Sequence, residues 1–285
     1  SRQNPDAPFV IEELEINPFA FCNYLMVPLD GMCHFSRPVT IAAKRPVKKI
    51  DRLLHPETIG IIGGTTWHST AEYYRVINEK IAERLGGQHS ARILLYSVDF
   101  HDHIARHTAL GWDGVFDELH EIGQILTEGG ADFLLLAANT LHKVAADLQE
   151  SLEVPVLHIA RACGQAISKS GIRTLALLGT RYTMGEDFYT SILRDSFNLD
   201  ILIPEKTDFD TIDHLIYHEM AVGNFGDAVR KQCLDVMERL VDRGAEGIIL
   251  GCTELPKLMA GISFQRPLFD TLEIHAEAAA EFALL

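Results

Sequence analysis

Gly130-Ala131-Asp132-Phe133-Leu134-Leu135-Leu136-Ala137-Ala138-Asn139-Thr140-Leu141 aligns without a gap on Gly244-Ala245-Glu246-Gly247-Ile248-Ile249-Leu250-Gly251-Cys252-Thr253-Glu254-Leu255. Each copy reads as a short apolar strand closed by small and polar residues, the pattern of a strand buried on both faces. A second pair repeats nearby. Ile59-Gly60-Ile61-Ile62-Gly63, running on to Tyr73, matches Leu175-Ala176-Leu177-Leu178-Gly179, running on to Tyr189. The offsets, 116 and 114 residues, are nearly equal, so the chain holds two copies of one unit. At the end of the second repeated strand the copies differ: Cys252 stands opposite Ala138, a thiol opposite a methyl.

Between these strands the pattern alternates with helices. Ser69 to Leu85 carries Tyr73, Ile77, Ile81 and Leu85 at helical spacing and stops at Gly86-Gly87. Phe116 to Leu126 reads as a helix ended by Gly129-Gly130, and Gly185 to Phe197, Phe225 to Asp242 and Thr271 to Leu284 as further helices. Alternating strands and helices predict an α/β fold with parallel sheets. The duplication makes it two similar flavodoxin-like parallel-sheet domains related by a pseudo-two-fold axis, with the active site in the cleft between them. The expected boundaries are an N-terminal extension over 1–56, a first domain over 57–158 plus 268–285, and a second over 159–267. The extension carries Pro5, Pro8, Pro18, Pro28, Pro38 and Pro46, a density that breaks regular elements. Ser1 in place of an initiator Met marks a processed or truncated start, without a signal-peptide pattern. Arg45, Lys48, Lys49 and Arg52 read as a solvated linker.

Composition excludes several function classes. A net charge of −15 over 285 residues argues against nucleic acid and against anionic membranes as partners. No apolar run reaches the roughly 18 residues of a transmembrane helix. Five Cys without CxxC spacing fit neither a zinc site nor a disulfide framework. Free thiols in a reducing cytoplasm fit them better, and Cys22, Cys33, Cys163 and Cys233 read as structural. GxGxxG, a phosphate loop and GxSxG are all absent.

The turns after the repeated strands gather Thr65, Thr66, Ser69 and Thr70; Asn139 and Thr140; Thr180 and Thr183; and Thr253. At helix starts such residues cap, and four of these turns converging on one cleft suit a carboxylate or phosphate. Cys252, at the start of a helix, is expected to have a lowered pKa and to act as a base or nucleophile, tuned by Glu254 or His142.

Together these residues carry a resemblance. Ile61-Ile62-Gly63-Gly64 with Ser69-Thr70 and Tyr73-Tyr74, then Ala138-Asn139-Thr140 with His142, then Leu178-Gly179-Thr180 with Thr183-Met184, then Gly251-Cys252-Thr253-Glu254-Leu255 resemble the aspartate/glutamate racemase family in order, over residues 58 to 285. The likeness is closest to the aspartate/glutamate-specific amino-acid racemases of bacteria. It implies a cofactor- and metal-independent reaction in which one thiol removes the α-proton from one face and a second returns a proton to the other. It further implies an α-carboxylate gripped by Asn139, Thr140 and Thr253, a substrate site completed by Gly64, Ser69, Thr70, Thr180 and Thr183, a small dicarboxylic amino acid as partner, and a homodimer. The departure is Ala138, where the family carries Cys or Thr. Three readings stay open: an engineered substitution; a natural one-thiol enzyme whose opposite face is served by water, Thr140, Ser69 or His142; or a chain that no longer racemises. A single-thiol decarboxylase or lyase and a non-catalytic amino-acid binder are the alternatives. Cations for a second carboxylate would come from Arg106, Lys143, Arg181 or Lys206.

Overall fold

A computed structural model describes residues 10–16, 19–22, 25–28, 31–36 and 56–285. The basic cluster Arg45 to Arg52 lies outside the described residues, as do the side chains of Phe19 to Val27. The proline-rich extension nonetheless contains strands. β1 (Val10–Ile16) pairs antiparallel with β4 (Gly31–Ser36), and β2 (Phe19–Cys22) with β3 (Leu25–Pro28). Pro28 is the last residue of β3, a position where proline is tolerated. The expectation of an irregular extension is therefore corrected.

The remainder holds two four-stranded parallel sheets of the same order. In the first, β5 (Ile59–Gly63) is flanked by β6 (Ile93–Ser97) and β7 (Phe133–Leu136), and β8 (Val156–Leu157) follows β7. In the second, β9 (Thr174–Gly179) is flanked by β10 (Asp200–Leu202) and β11 (Gly247–Gly251), and β12 (Leu268–Asp270) follows β11. The register repeats too: Ile59 pairs with Phe133 as Leu175 pairs with Gly247. Even the capping carboxylates correspond. Asp132 Oδ2 accepts the backbone N–H of Thr58 at 2.9 Å, and Glu246 Oε2 accepts that of Thr174 at 2.9 Å.

Alternation along the strands divides each core into two layers. Ile59, Ile61, Phe133 and Leu135 face one side of the first sheet, and Ile62, Leu134 and Leu136 the other. In the second sheet Leu175, Leu177 and Ile249 face one side, and Ala176, Leu178, Ile248, Leu250 and Cys252 the other.

The crossovers cover these layers. α1 (Trp67–Leu85) buries Tyr73, Ile77 and Ile81 and ends at Gly86, whose φ is 71°. α2 spans Phe100–Glu128, well beyond the expected Phe116 to Leu126, and contains Gly111 at φ 66°, ψ −151°. Its two limbs, 100–110 and 112–128, fold back on each other. His103 and Glu118 are hydrogen-bonded at 2.6 Å, although fifteen residues of straight helix would separate them by about 22 Å. A backbone of this geometry is closed to residues with a Cβ, which explains the glycine. α3 (Ala145–Ser151) and α4 (Ile159–Ser168) flank β8; α5 (Arg181–Gly185) and α6 (Asp187–Phe197) follow β9. α7 (Lys206–His214) runs into a wide turn over Leu215–Glu219 and a tight one over Met220–Val222. α8 (Asp227–Asp242), α9 (Glu254–Leu258) and α10 (Thr271–Ala283) complete the chain.

The expected boundary at 267/268 cuts across a sheet, because β12 pairs with β11 in the second sheet. Only α10 turns to the first: Ala276, Ala279, Ala280 and Ala283 pack with Tyr73, Ile77 and Ile81. Small side chains let the two helices approach, and Lys80–Glu277 and Arg84–Glu281 pair across their seam at 3.2 and 2.7 Å.

Candidate active site

The carboxyl ends of β7 and β11 open into one cavity of about 740 Å³. Ala138 and Cys252, the residues just beyond those ends, both line it, as do Gly64, Asn139, Thr140, Thr180, Thr253 and Glu254. Parallel sheets place ligands beyond their carboxyl ends, and here the repeated register brings two such ends together.

The turns are tied across the cleft. Thr140 Oγ1 lies 3.1 Å from Thr180 Oγ1. Asn139 Nδ2 donates to Thr271 Oγ1 at 3.0 Å, and that hydroxyl donates to the carbonyl of Leu250 at 2.9 Å. Asn139 Oδ1 is buried without a partner, which leaves one strong acceptor unused beside the cavity.

Gly64, at φ 96°, brings its backbone against Val98, where a Cβ would collide with backbone atoms. Three of the expected binding residues stand behind the wall instead of on it. Ser69 accepts the hydroxyl of Thr66 at 2.7 Å, and Thr70 Oγ1 accepts the N–H of Gly64 at 2.9 Å. Thr183 packs against Gly179 and Gly251. They shape the turns.

Cys252 departs from its expected chemistry. The N–H groups of Thr253 and Glu254 do favour the thiolate, but α9 is only five residues long. Burial and the charge of Glu254 outweigh them and push the thiol well above its usual range. The thiol donates to Glu254 Oε2 at 3.0 Å, and the Thr253 hydroxyl donates to the same oxygen at 2.8 Å. Glu254 is thus the tuning partner, and it tunes upward.

His142 is not beside Cys252. It is buried, and its Nδ1 donates to the Ala138 carbonyl at 3.0 Å. Burial holds it near pKa 4, so it is neutral. It packs with half-buried His158 and buried His275, at ring distances of 4.7 and 5.4 Å. Tyr73 O–H donates to His275 Nδ1 at 3.0 Å, and His275 Nε2 donates to Leu157 O at 2.9 Å. His158 Nδ1 caps α4. Cys163 and Cys233 are buried, and burial pushes both thiols up to about 12. Among the described residues no group of three or more His, Cys, Asp and Glu could hold a metal ion.

The sequence reading did not anticipate the outer wall. His68, Phe100, His103, Ile104, His107 and Trp112 come from the start of α1 and from the fold-back of α2; Tyr217, Met220 and Phe225 come from the turns after α7 and beyond. Asp99, which caps α2 by accepting from His101 and Asp102, and Gly111 were the available signals.

The Asp/Glu/Hydantoin racemase profile matches residues 62–279, a span containing both turns and the whole inner wall. The chain belongs to that family. A Yersinia pestis protein provisionally described as an Asp/Glu racemase is 39% identical, covers 80% of this chain and 100% of its own, and superposes with a TM-score of 0.76. An aspartate racemase homologue from Pyrococcus horikoshii OT3 is 32% identical over 80% of this chain and 99% of its own, with a TM-score of 0.68. The broad-specificity amino-acid racemase RacX of Bacillus subtilis is 25% identical over 154 residues, 51% of this chain and 62% of that protein. A Francisella tularensis glutamate racemase in complex with D-glutamate shares the fold at 16% identity and a TM-score of 0.54. Membership of this racemase family supports an isomerase, and no helix among the described residues is long and apolar enough to cross a membrane.

Proposed function

We propose that the protein moves the α-proton of an amino acid without a cofactor, using Cys252 as the acid/base group on one face. The observation that carries the reading is the pair Ala138 and Cys252, at equivalent strand ends and both lining one cavity. In this reading Asn139 Oδ1, buried and unpaired, accepts from the α-ammonium. Thr140, Thr180 and the hydroxyl of Thr253 receive the α-carboxylate. Glu254 takes the thiol proton as the thiolate forms and returns it afterwards. The opposite face meets the methyl of Ala138, which transfers no proton. Of the three side chains named from sequence as substitutes, Thr140 alone lines the cavity, and an alcohol is a poor acid. Racemisation is therefore slow, while exchange on the Cys252 face is retained. The same methyl supports a one-thiol decarboxylase as the second reading, since protonating a carbanion needs one armed face.

The test is NMR of amino-acid enantiomers in D₂O with the full chain. Exchange of one enantiomer with retention, lost in Cys252→Ala, is the expected result. Loss of CO₂ from a substituted malonate without such exchange would move the assignment to the decarboxylase. Neither reaction in any substrate would sink both.

A further inference from the structure

We propose that the side-chain end of this cavity takes a large apolar group, so that the substrate is a neutral amino acid and not a dicarboxylate; this rests on the amino-acid reading above. A second carboxylate buried beside the catalytic turns needs a cation, best supplied as a guanidinium fork. The four candidates are committed elsewhere. Arg181 gives its backbone N–H, Nε and Nη2 to Asp213. Lys143 is 2.6 Å from Glu186 and lies over the Trp112 ring at 4.6 Å. Arg106 faces Glu118 at 4.0 Å, and Lys206 faces Asp210 at 3.2 Å. None of them lines the cavity.

Of the imidazoles on the wall, His103 is bonded to Glu118 at 2.6 Å, His68 stacks on Trp67, and His107 lies tilted against Trp112. Lys257 is on the wall but exposed, a hydrated point charge rather than a fork.

What the two halves do present is apolar. Phe100, Ile104 and Trp112 line one side, and Tyr217, Met220 and Phe225 the other. Phe100, Ile104 and Tyr217 are 47%, 43% and 41% exposed. Large apolar side chains concentrated at the mouth of a cavity mark a surface that a ligand removes from water. A volume of about 740 Å³ accommodates an aromatic or long aliphatic side chain. A carboxylate against the same walls would lose its hydration without compensation.

The experiment compares α-proton exchange in D₂O for phenylalanine, leucine and methionine with aspartate and glutamate, both enantiomers of each. The apolar set should exchange with kcat/KM at least roughly tenfold higher, the discrimination a hydrophobic pocket gives for a methylene or more. Faster exchange of aspartate or glutamate overturns the proposal while leaving Cys252 chemistry intact. If Lys257→Met then removes that preference, the lysine is the missing cation. Should nothing exchange, the proton-transfer reading fails instead, and calorimetric binding of the same panel to Cys252→Ala decides this one. Tighter apolar ligands support it; tighter dicarboxylates, or no binding of any, overturn it. Ile104→Arg places a fork on the rim and should move the preference tenfold or more toward the dicarboxylates; an unmoved preference also counts against the apolar assignment.

Discussion

The Cys252 thiol donates across 3.0 Å to the carboxylate of Glu254, two residues along the same turn. A proton that a helix start would loosen is therefore held by its neighbour. Glu254→Gln removes the charge and weakens the acceptor, so the thiol pKa falls. Iodoacetamide alkylation at a fixed pH near 8 should speed up, and its pH profile should shift to lower pH. The rising limb of α-proton exchange should shift the same way. A profile unmoved in both would mean that burial alone raises the thiol.

Ala138→Cys arms the opposite wall. The position is half-buried at the cavity edge, so the added sulfur extends into the cavity. A positioned acid/base group contributes about 10²- to 10⁴-fold, and racemisation followed by chiral chromatography should rise within that range. No gain would mean that the two turns no longer face a common α-carbon.

Thr271 links the halves by accepting from Asn139 and donating to Leu250. Thr271→Val leaves a buried amide and a buried carbonyl unpaired, at about 1–3 kcal/mol. Melting should fall by about 2–4 °C for each kcal/mol, with KM raised because Asn139 loses its anchor. Thr271→Ser, which keeps the hydroxyl, should restore both.

The repeated unit was legible because it rests on local regularities: apolar strands of fixed length, glycine stops and a constant offset. Those same regularities set the pairing Ile59–Phe133 and Leu175–Gly247. The outer wall was not legible, because no periodic pattern points to it. Phe100 to Leu110 reads as helix or loop equally well until Gly111 turns it back on Glu118. Nor was the direction of the Cys252 shift. It depends on which way the Glu254 side chain points, and a helix start would have argued the opposite sign. The strands β1 to β4 were hidden because proline density in 1–56 argued against regular elements, although Pro28 stands at the end of β3.

His142 and His275 are buried and His158 is half-buried; all three are neutral, with pKa values lowered chiefly by desolvation to about 4, 3 and 2. An unfolded chain takes protons on all three near pH 6.5. The folded state does not until far lower pH, so their contribution is intact above 6.5 and is lost as pH falls from there toward 4. Each histidine steepens that loss by up to about 1.4 kcal/mol per pH unit. Urea titrations between pH 7.5 and 5 should show it, and His158→Gln, which keeps a side-chain acceptor near the Ala160 N–H, should flatten the slope by about one proton.

The helix α10 completes the layer formed by Ile59, Tyr73, Ile77 and Phe133, yet nearly two hundred residues separate it from α1. During synthesis the first unit therefore leaves the ribosome with one face uncovered, and it stays so until residues 271–283 emerge. The second unit, contiguous from α4 to β12, can condense meanwhile. Assembly is thus ordered in time against the order of the sequence, and a helix made after the whole second unit is the one that closes the first core. That uncovered interval is when the chain is most exposed to aggregation and to chaperone capture.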